Sequence, residues 1–171
     1  MLPVQILLNN FLYNLSQLTI PTDNVEASYV GRPHSWDMGM AQRFMFGLGP
    51  ISSVYDFLTF GVMLWVFRVG PELFRAGWFI ESLATQTLVI FVIRTAGNPF
   101  KTRPSKPLLI SVFGGVLLGL IVVLTPLGEA IGFAPLPPLF FTVLVAFVVT
   151  YLALVQVFKQ RFYAASGWRG N

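Results

Sequence analysis

The sequence holds 171 residues, 55% of them hydrophobic and 11% charged, with a formal net charge of +4 and no cysteine. A soluble domain needs about 25% charged residues to cover its surface, so this composition excludes one and defines an all-α integral membrane protein. The missing cysteines also exclude disulfides, thiolate metal sites and cysteine nucleophiles. The positive charge lies in short connections between apolar runs, where it sets membrane orientation and gives no sign of a nucleic-acid partner.

A helix needs about 20 mostly apolar residues to cross the hydrocarbon. Five stretches qualify, near 2–20, 44–67, 77–96, 108–125 and 139–158, and predict a bundle of about five transmembrane helices in the lipid bilayer. Proline, glycine and charge cluster in the connections 21–43, 68–76, 97–107 and 126–138, and in a tail that begins at Lys159. The chain enters apolar sequence at once, without the basic segment of a secretory signal. A first span with no polar flank predicts that further spans precede it.

The first stretch is the most polar. Asn10, Asn14 and Gln17 recur at one helical face, and Pro21 cannot donate to the Gln17 carbonyl, which stays free. Uncharged oxygens beside a proline break suit a hard cation. They equally suit plain hydrogen bonding to neighbouring helices.

The second stretch carries Pro50, Ser52, Ser53 and Asp56. A carboxylate at mid-span costs several kcal/mol unless it is partnered or neutral. Asp56 therefore reads either as an ion-pathway residue or as a paired or protonated acid that fixes helix packing, with Ser52 as its local partner. In the third stretch Glu81 and Thr85 share a face while Gln86 turns away. Glu81 is expected about one turn from the outer surface, within reach of water, with a role at the ion entrance as the other reading. The fourth holds Gly114 and Gly115-Val-Leu-Leu-Gly119, a small-residue face that admits another helix closely. The fifth is expected to be scaffold. His34, the single histidine, reads as a loop residue, and Trp36, Trp65, Trp78 and Trp168 fall near predicted boundaries as interfacial anchors do.

One set of connections holds nine of the eleven lysines and arginines and the other holds only Arg68 and Arg75. This asymmetry predicts that 21–43, 97–107 and the C-terminus are cytoplasmic. No phosphate-binding Gly-x-x-x-x-Gly-Lys loop and no Asp-Lys-Thr-Gly occurs, and one histidine cannot build a Ser/His/Asp triad. These residues perform no ATP hydrolysis unaided.

Several strings together carry a resemblance. Met1-Leu-Pro, Asn10-Phe-Leu-Tyr-Asn-Leu-Ser-Gln17 and Ile20-Pro-x-Asp-Asn24 resemble the sixth transmembrane helix of magnesium-importing P-type ATPases. Arg43-Phe-Met, Gly49-Pro-Ile-Ser-Ser-Val-Tyr-Asp-Phe-Leu-Thr-Phe60, Gly77-Trp-Phe-Ile-Glu81, Gln86-Thr-Leu-Val89 and Ile93-Arg-Thr95 extend it across the chain. The resemblance implies the last five of ten helices, in a bacterial inner membrane, partnered by the N-terminal half of the same ATPase. It implies Mg2+ as the transported ion, with ATP bound only by domains outside this stretch. It also implies a metal site facing Asn10, Asn14 and Gln17, with Asp23 and Asn24 at the cytoplasmic exit. The family usually carries aspartate where Asn14 stands, which removes the charge that offsets magnesium dehydration. The competing readings are a truncated remnant or scaffold without transport, and a small secondary carrier, for which no inverted repeat is visible.

Overall fold

The computed structural model describes residues 1–24, 38–95, 97–99 and 102–165, and among them it is helical with no strand. Helix α1 runs Pro3–Gln17 and is followed by a 3-10 turn, Ile20–Thr22. Helix α2, Met38–Gly61, continues into a π turn, Val62–Val66. Then come α3, Pro71–Ile93, α4, Lys106–Leu124, the short α5, Pro126–Ala130, and α6, Pro138–Ala165. His34, Trp36 and Trp168, with the readings given to them, lie outside the described residues.

Proline sets most of the helix starts. Pro3, Pro71, Pro107 and Pro126 occupy the first helical turn of α1, α3, α4 and α5, where a missing N–H costs nothing and the fixed φ suits the helix. At α4 the Ser105 hydroxyl adds a cap by accepting from the Leu108 amide at 3.3 Å.

Among the described residues, four helices are long and apolar enough to cross a membrane: the α2 unit with its π turn, α3, α4 and α6. Helix α1 has 15 residues, about 22 Å at 1.5 Å per residue, and the 3-10 turn Ile20–Thr22 carries the segment further. Regular α-helix ends at Gln17, before Pro21, so α1 is shorter than the four helices above.

The third predicted span is corrected. It begins at Pro71, six residues before the expected start, because Glu72 and Arg75 are charged residues within the first turns and not a connection. An acidic first turn complements the helix dipole. The last helix runs past 158 to Ala165, since Lys159 and Arg161 are helical.

Helix α3 is the centre of the bundle. It packs against α1, α2, α4 and α6, and its buried residues run almost unbroken from Ala76 to Thr87. Leu12 of α1, Phe79, Ile80 and Leu83 of α3, Val123 of α4 and Phe140 and Leu144 of α6 form one core. The close approach predicted for the small residues of α4 is realised at two of them. A Cβ on Gly115 would lie 2.2 Å from Ser16 Oγ of α1, and one on Gly119 would lie 2.3 Å from Leu83 Cδ2 of α3. Gly114 faces open space and carries none of this packing.

Candidate functional site

Helix α1 has two polar faces with opposite fates. Gln5, Asn9, Leu12 and Ser16 recur at i, i+4, i+7 and i+11 and are buried against the bundle. Gln5 donates to the Ile131 and Gly132 carbonyls at 3.0 and 3.2 Å and accepts from the Leu2 amide at 2.8 Å. It fastens the start of α1 to the turn after α5. Ser16 bonds back to the Leu12 carbonyl at 2.9 Å, and Ser111 of α4 donates to the Ser16 carbonyl at 3.0 Å.

The carboxamides singled out from the sequence lie on the other face. Asn10 and Asn14 are exposed and Gln17 is half-buried. Their side chains make no hydrogen bond among the described residues, so neighbouring helices of this chain do not consume them. Beside them on the exposed surface are Leu7, Phe11 and Leu18, each more than 60% exposed.

Asp23 and Asn24 close the end of this segment, and both are engaged. Asp23 Oδ2 accepts from Arg94 Nη1 at 2.5 Å, and Oδ1 accepts from the Ser105 amide at 2.8 Å. Arg94 also donates to the Thr102 carbonyl. Asn24 Nδ2 donates to the Arg103 carbonyl at 2.9 Å. The structure therefore brings these two residues to the α3–α4 connection and not to the row of Asn10 and Asn14.

Burial alone would push the Asp23 carboxyl up. The bonds from Ser105 and Arg94, the Asn24 amide and the guanidinium charge outweigh it and hold the group below its ordinary 3.8. A depressed carboxylate adds stability above that ordinary value and loses it as pH falls. The thermal stability advantage of the wild type over Asp23→Asn is accordingly expected to be full near neutrality and to close below about pH 4. Melting temperatures of the two proteins across pH 3–7 check it; a gap that stays constant through the acid range contradicts it.

The two acids in the spans sit on α2 and α3. Asp56 Oδ1 accepts from the indole Nε1 of Trp78 at 3.0 Å. Ser52, its expected local partner, instead pairs with the Tyr151 hydroxyl of α6 at 2.9 Å, and the Tyr55 and Tyr151 rings meet edge-on at 5.3 Å. This corrects the expectation, and it makes Trp78 a tie between two helices, half-buried and not a free interfacial anchor.

Glu81 is corrected more strongly. It is 2% exposed, because α3 starts at Pro71 and places it ten residues inside the helix, about 15 Å along the axis. No lysine-like reach to water is open to it. Its Oε2 is buried without a hydrogen-bond partner, as are Asn9 Oδ1 and Thr59 Oγ1. Groups of this kind each cost about 1–3 kcal/mol when left unsatisfied. No cluster of three or more histidine, cysteine, aspartate or glutamate residues able to hold a metal occurs among the described residues.

Sequence reasoning missed Lys159. It is fully buried, and its Nζ donates to the carbonyls of Val92, Thr95 and Gly97 at 2.7, 3.0 and 2.9 Å. A lysine directly after a long apolar run reads as a boundary residue. Its i−4 and i−8 neighbours, Val155 and Tyr151, are buried too and place it on the packed stripe of α6, which is the signal that could have found it.

A short helix with one exposed polar face thus docks on four longer, apolar helices. Residues 1–161 match the family described as "Cation transporting ATPase, C-terminus", and the chain belongs to that family. It is similar to the "Magnesium-transporting ATPase, P-type 1" of Salmonella typhimurium strain LT2 and to that of Escherichia coli strain K12. It is 38% identical to each over 99% of its own length and 19% of theirs. The chain thus spans about a fifth of the length of these curated relatives.

Proposed function

We propose that this chain is the C-terminal membrane portion of an ATP-driven magnesium transporter and supplies one wall of its ion site. The observation that carries the reading is the exposed, unbonded carboxamide face of α1. The bundle has no use for it, and a partner that supplies the remaining ligands does. The curated relatives are about five times as long, which leaves room for such a partner in the same polypeptide.

In this reading Asn10, Asn14 and Gln17 offer oxygens to a magnesium ion in transit, as substrate, and the N-terminal spans complete its shell. Asp23 and Asn24 stand at the cytoplasmic exit. Their bonds to Arg94, Ser105 and Arg103 hold α1 against the α3–α4 connection, so any ligand role for them begins by exchanging those donors for the ion. Asp56 and Glu81 lie on the ion pathway within the bundle. ATP is bound and hydrolysed by the other domains of the transporter. The C-terminus faces the cytoplasm of a bacterial inner membrane, consistent with the lysine and arginine asymmetry.

Asn14→Asp in the complete transporter tests the reading. A carboxylate there offsets magnesium dehydration, and the magnesium concentration that half-activates ATP hydrolysis is expected to fall tenfold or more, equivalent to about 1.4 kcal/mol. Unchanged magnesium dependence in folded protein removes Asn14 from the ligands. Absence of any magnesium-stimulated hydrolysis in the wild type overturns the function itself.

A further inference from the structure

The cytoplasmic end of α3 is a junction of three charges from three parts of the chain. Arg94, its C-cap, turns away from the helix to Asp23 and the Thr102 carbonyl. The helix leaves its last carbonyls without intrahelical donors, and they carry the negative end of its dipole. Lys159 of α6 answers one of them, the Val92 carbonyl, and its ammonium also donates to the Thr95 and Gly97 carbonyls just past the helix end.

Two features separate this lysine from an ordinary surface cation. A lysine near a span end extends its stem so that the charge reaches water, whereas Lys159 is 0% exposed. Withdrawing an ammonium from water costs several kcal/mol, and the carbonyls of Val92, Thr95 and Gly97 offset part of that cost. The arrangement resembles a cation held in a cage of carbonyl oxygens, with the cation tethered to the protein. The neighbouring packing is equally close: Phe158 lies against Gly47 of α2, where an added Cβ would sit 2.2 Å from its ring, and the Phe44 ring meets Phe158 tilted at 5.7 Å and Phe162 edge-on at 5.3 Å. The α6 segment around Lys159 therefore has no freedom to slide.

We propose that Lys159 is a positioning residue for the ion site: its ammonium, seated in the three-carbonyl cage, fixes the end of α3 and keeps Arg94 committed to Asp23 at the end of α1. The consequence for magnesium rests on the transporter reading above. Helix α3 carries Glu81 and α1 carries the carboxamide row, and the Asp23–Arg94 pair ties their cytoplasmic ends together. Without the ammonium the three carbonyls lose their donor, the α3 end that carries Arg94 loosens from α6, and the two ion-facing helices lose their common register. Charge at position 159, and not side-chain volume, is then what sets the apparent magnesium affinity.

The test uses the complete transporter in detergent, with Lys159→Met, Lys159→Arg and Lys159→Ala. Lys159→Met keeps the volume and removes the charge. It is expected to raise the half-activating magnesium concentration about tenfold at an unchanged maximal hydrolysis rate, while Lys159→Arg recovers part of the loss. For Lys159→Ala, n-propylammonium is expected to restore both melting temperature and magnesium dependence, and n-propanol neither. Folded Lys159→Met with wild-type magnesium dependence overturns the proposal, as does equal rescue of Lys159→Ala by propanol and propylammonium. Should Lys159→Met fail to fold, the melting temperatures of Lys159→Ala with the two additives decide between charge and volume. A wild type without magnesium-stimulated hydrolysis would remove the transporter reading and the magnesium consequence with it, while the additive comparison still judges the cage.

Discussion

Replacing Asn10 and Asn14 together by leucine is expected to raise the half-activating magnesium concentration of the complete transporter by roughly a hundredfold or more. The estimate follows from about 1.5–3 kcal/mol for each contact between a polar group and a charge, two of which disappear. The fold should tolerate the change. Both side chains are exposed and unbonded among the described residues, and leucine is a better helix former than asparagine. A melting temperature equal to or above the wild type, with magnesium dependence lost, separates a ligand from a packing residue. If α1 instead used these amides as glue to a neighbouring helix, stability and activity would fall together. Phe11→Ala, on the same exposed surface, serves as the control and is expected to leave the magnesium dependence unchanged.

The second large effect is expected at Glu81, where stability and function move in opposite directions. The carboxyl is buried in the most enclosed helix, with Oε2 unpartnered. Glu81→Met replaces it by an apolar chain of similar length. Removing an unsatisfied buried group recovers about 1–3 kcal/mol, and each kcal/mol is worth about 2–4 °C in a domain of this size. The melting temperature is thus expected to rise by several degrees while magnesium-stimulated hydrolysis falls at least tenfold. A variant that melts lower and keeps its magnesium response would make Glu81 a structural residue with an unseen partner.

The contrast between α1 and α3 explains what the residues alone made legible. The class and the apolar helices follow from composition and length, and the tight α4 interface follows from the spacing of Gly115 and Gly119, since a missing Cβ acts locally. The carboxamide row of α1 is legible for the same reason: helical periodicity fixes which residues share a face. Partners separated in the chain are not legible. Asp56 meets Trp78 across 22 residues, and Ser52 meets Tyr151 across 99, so the serine one turn back at i−4 is not the partner of Asp56. Glu81 was misplaced because Glu72 and Arg75 resemble a connection, although Pro71 had already begun the helix. Lys159 hides behind the rule that a charge ends an apolar run, and only the burial of Tyr151 and Val155 on its stripe reveals it. Gln5 and Asn9, the buried polar residues of α1, were overlooked because their neighbours Asn10 and Asn14 drew the chemistry to the adjoining face.

The most direct measurement places a single cysteine at position 10 or 14 of an otherwise cysteine-free complete transporter; this chain contributes no cysteine of its own. Labelling with a water-soluble, membrane-impermeant thiol reagent then reads whether these positions line a hydrophilic route. The account predicts that Asn10→Cys and Asn14→Cys react and that magnesium slows the reaction at both. Inert cysteines at 10 and 14, or labelling indifferent to magnesium, would contradict it.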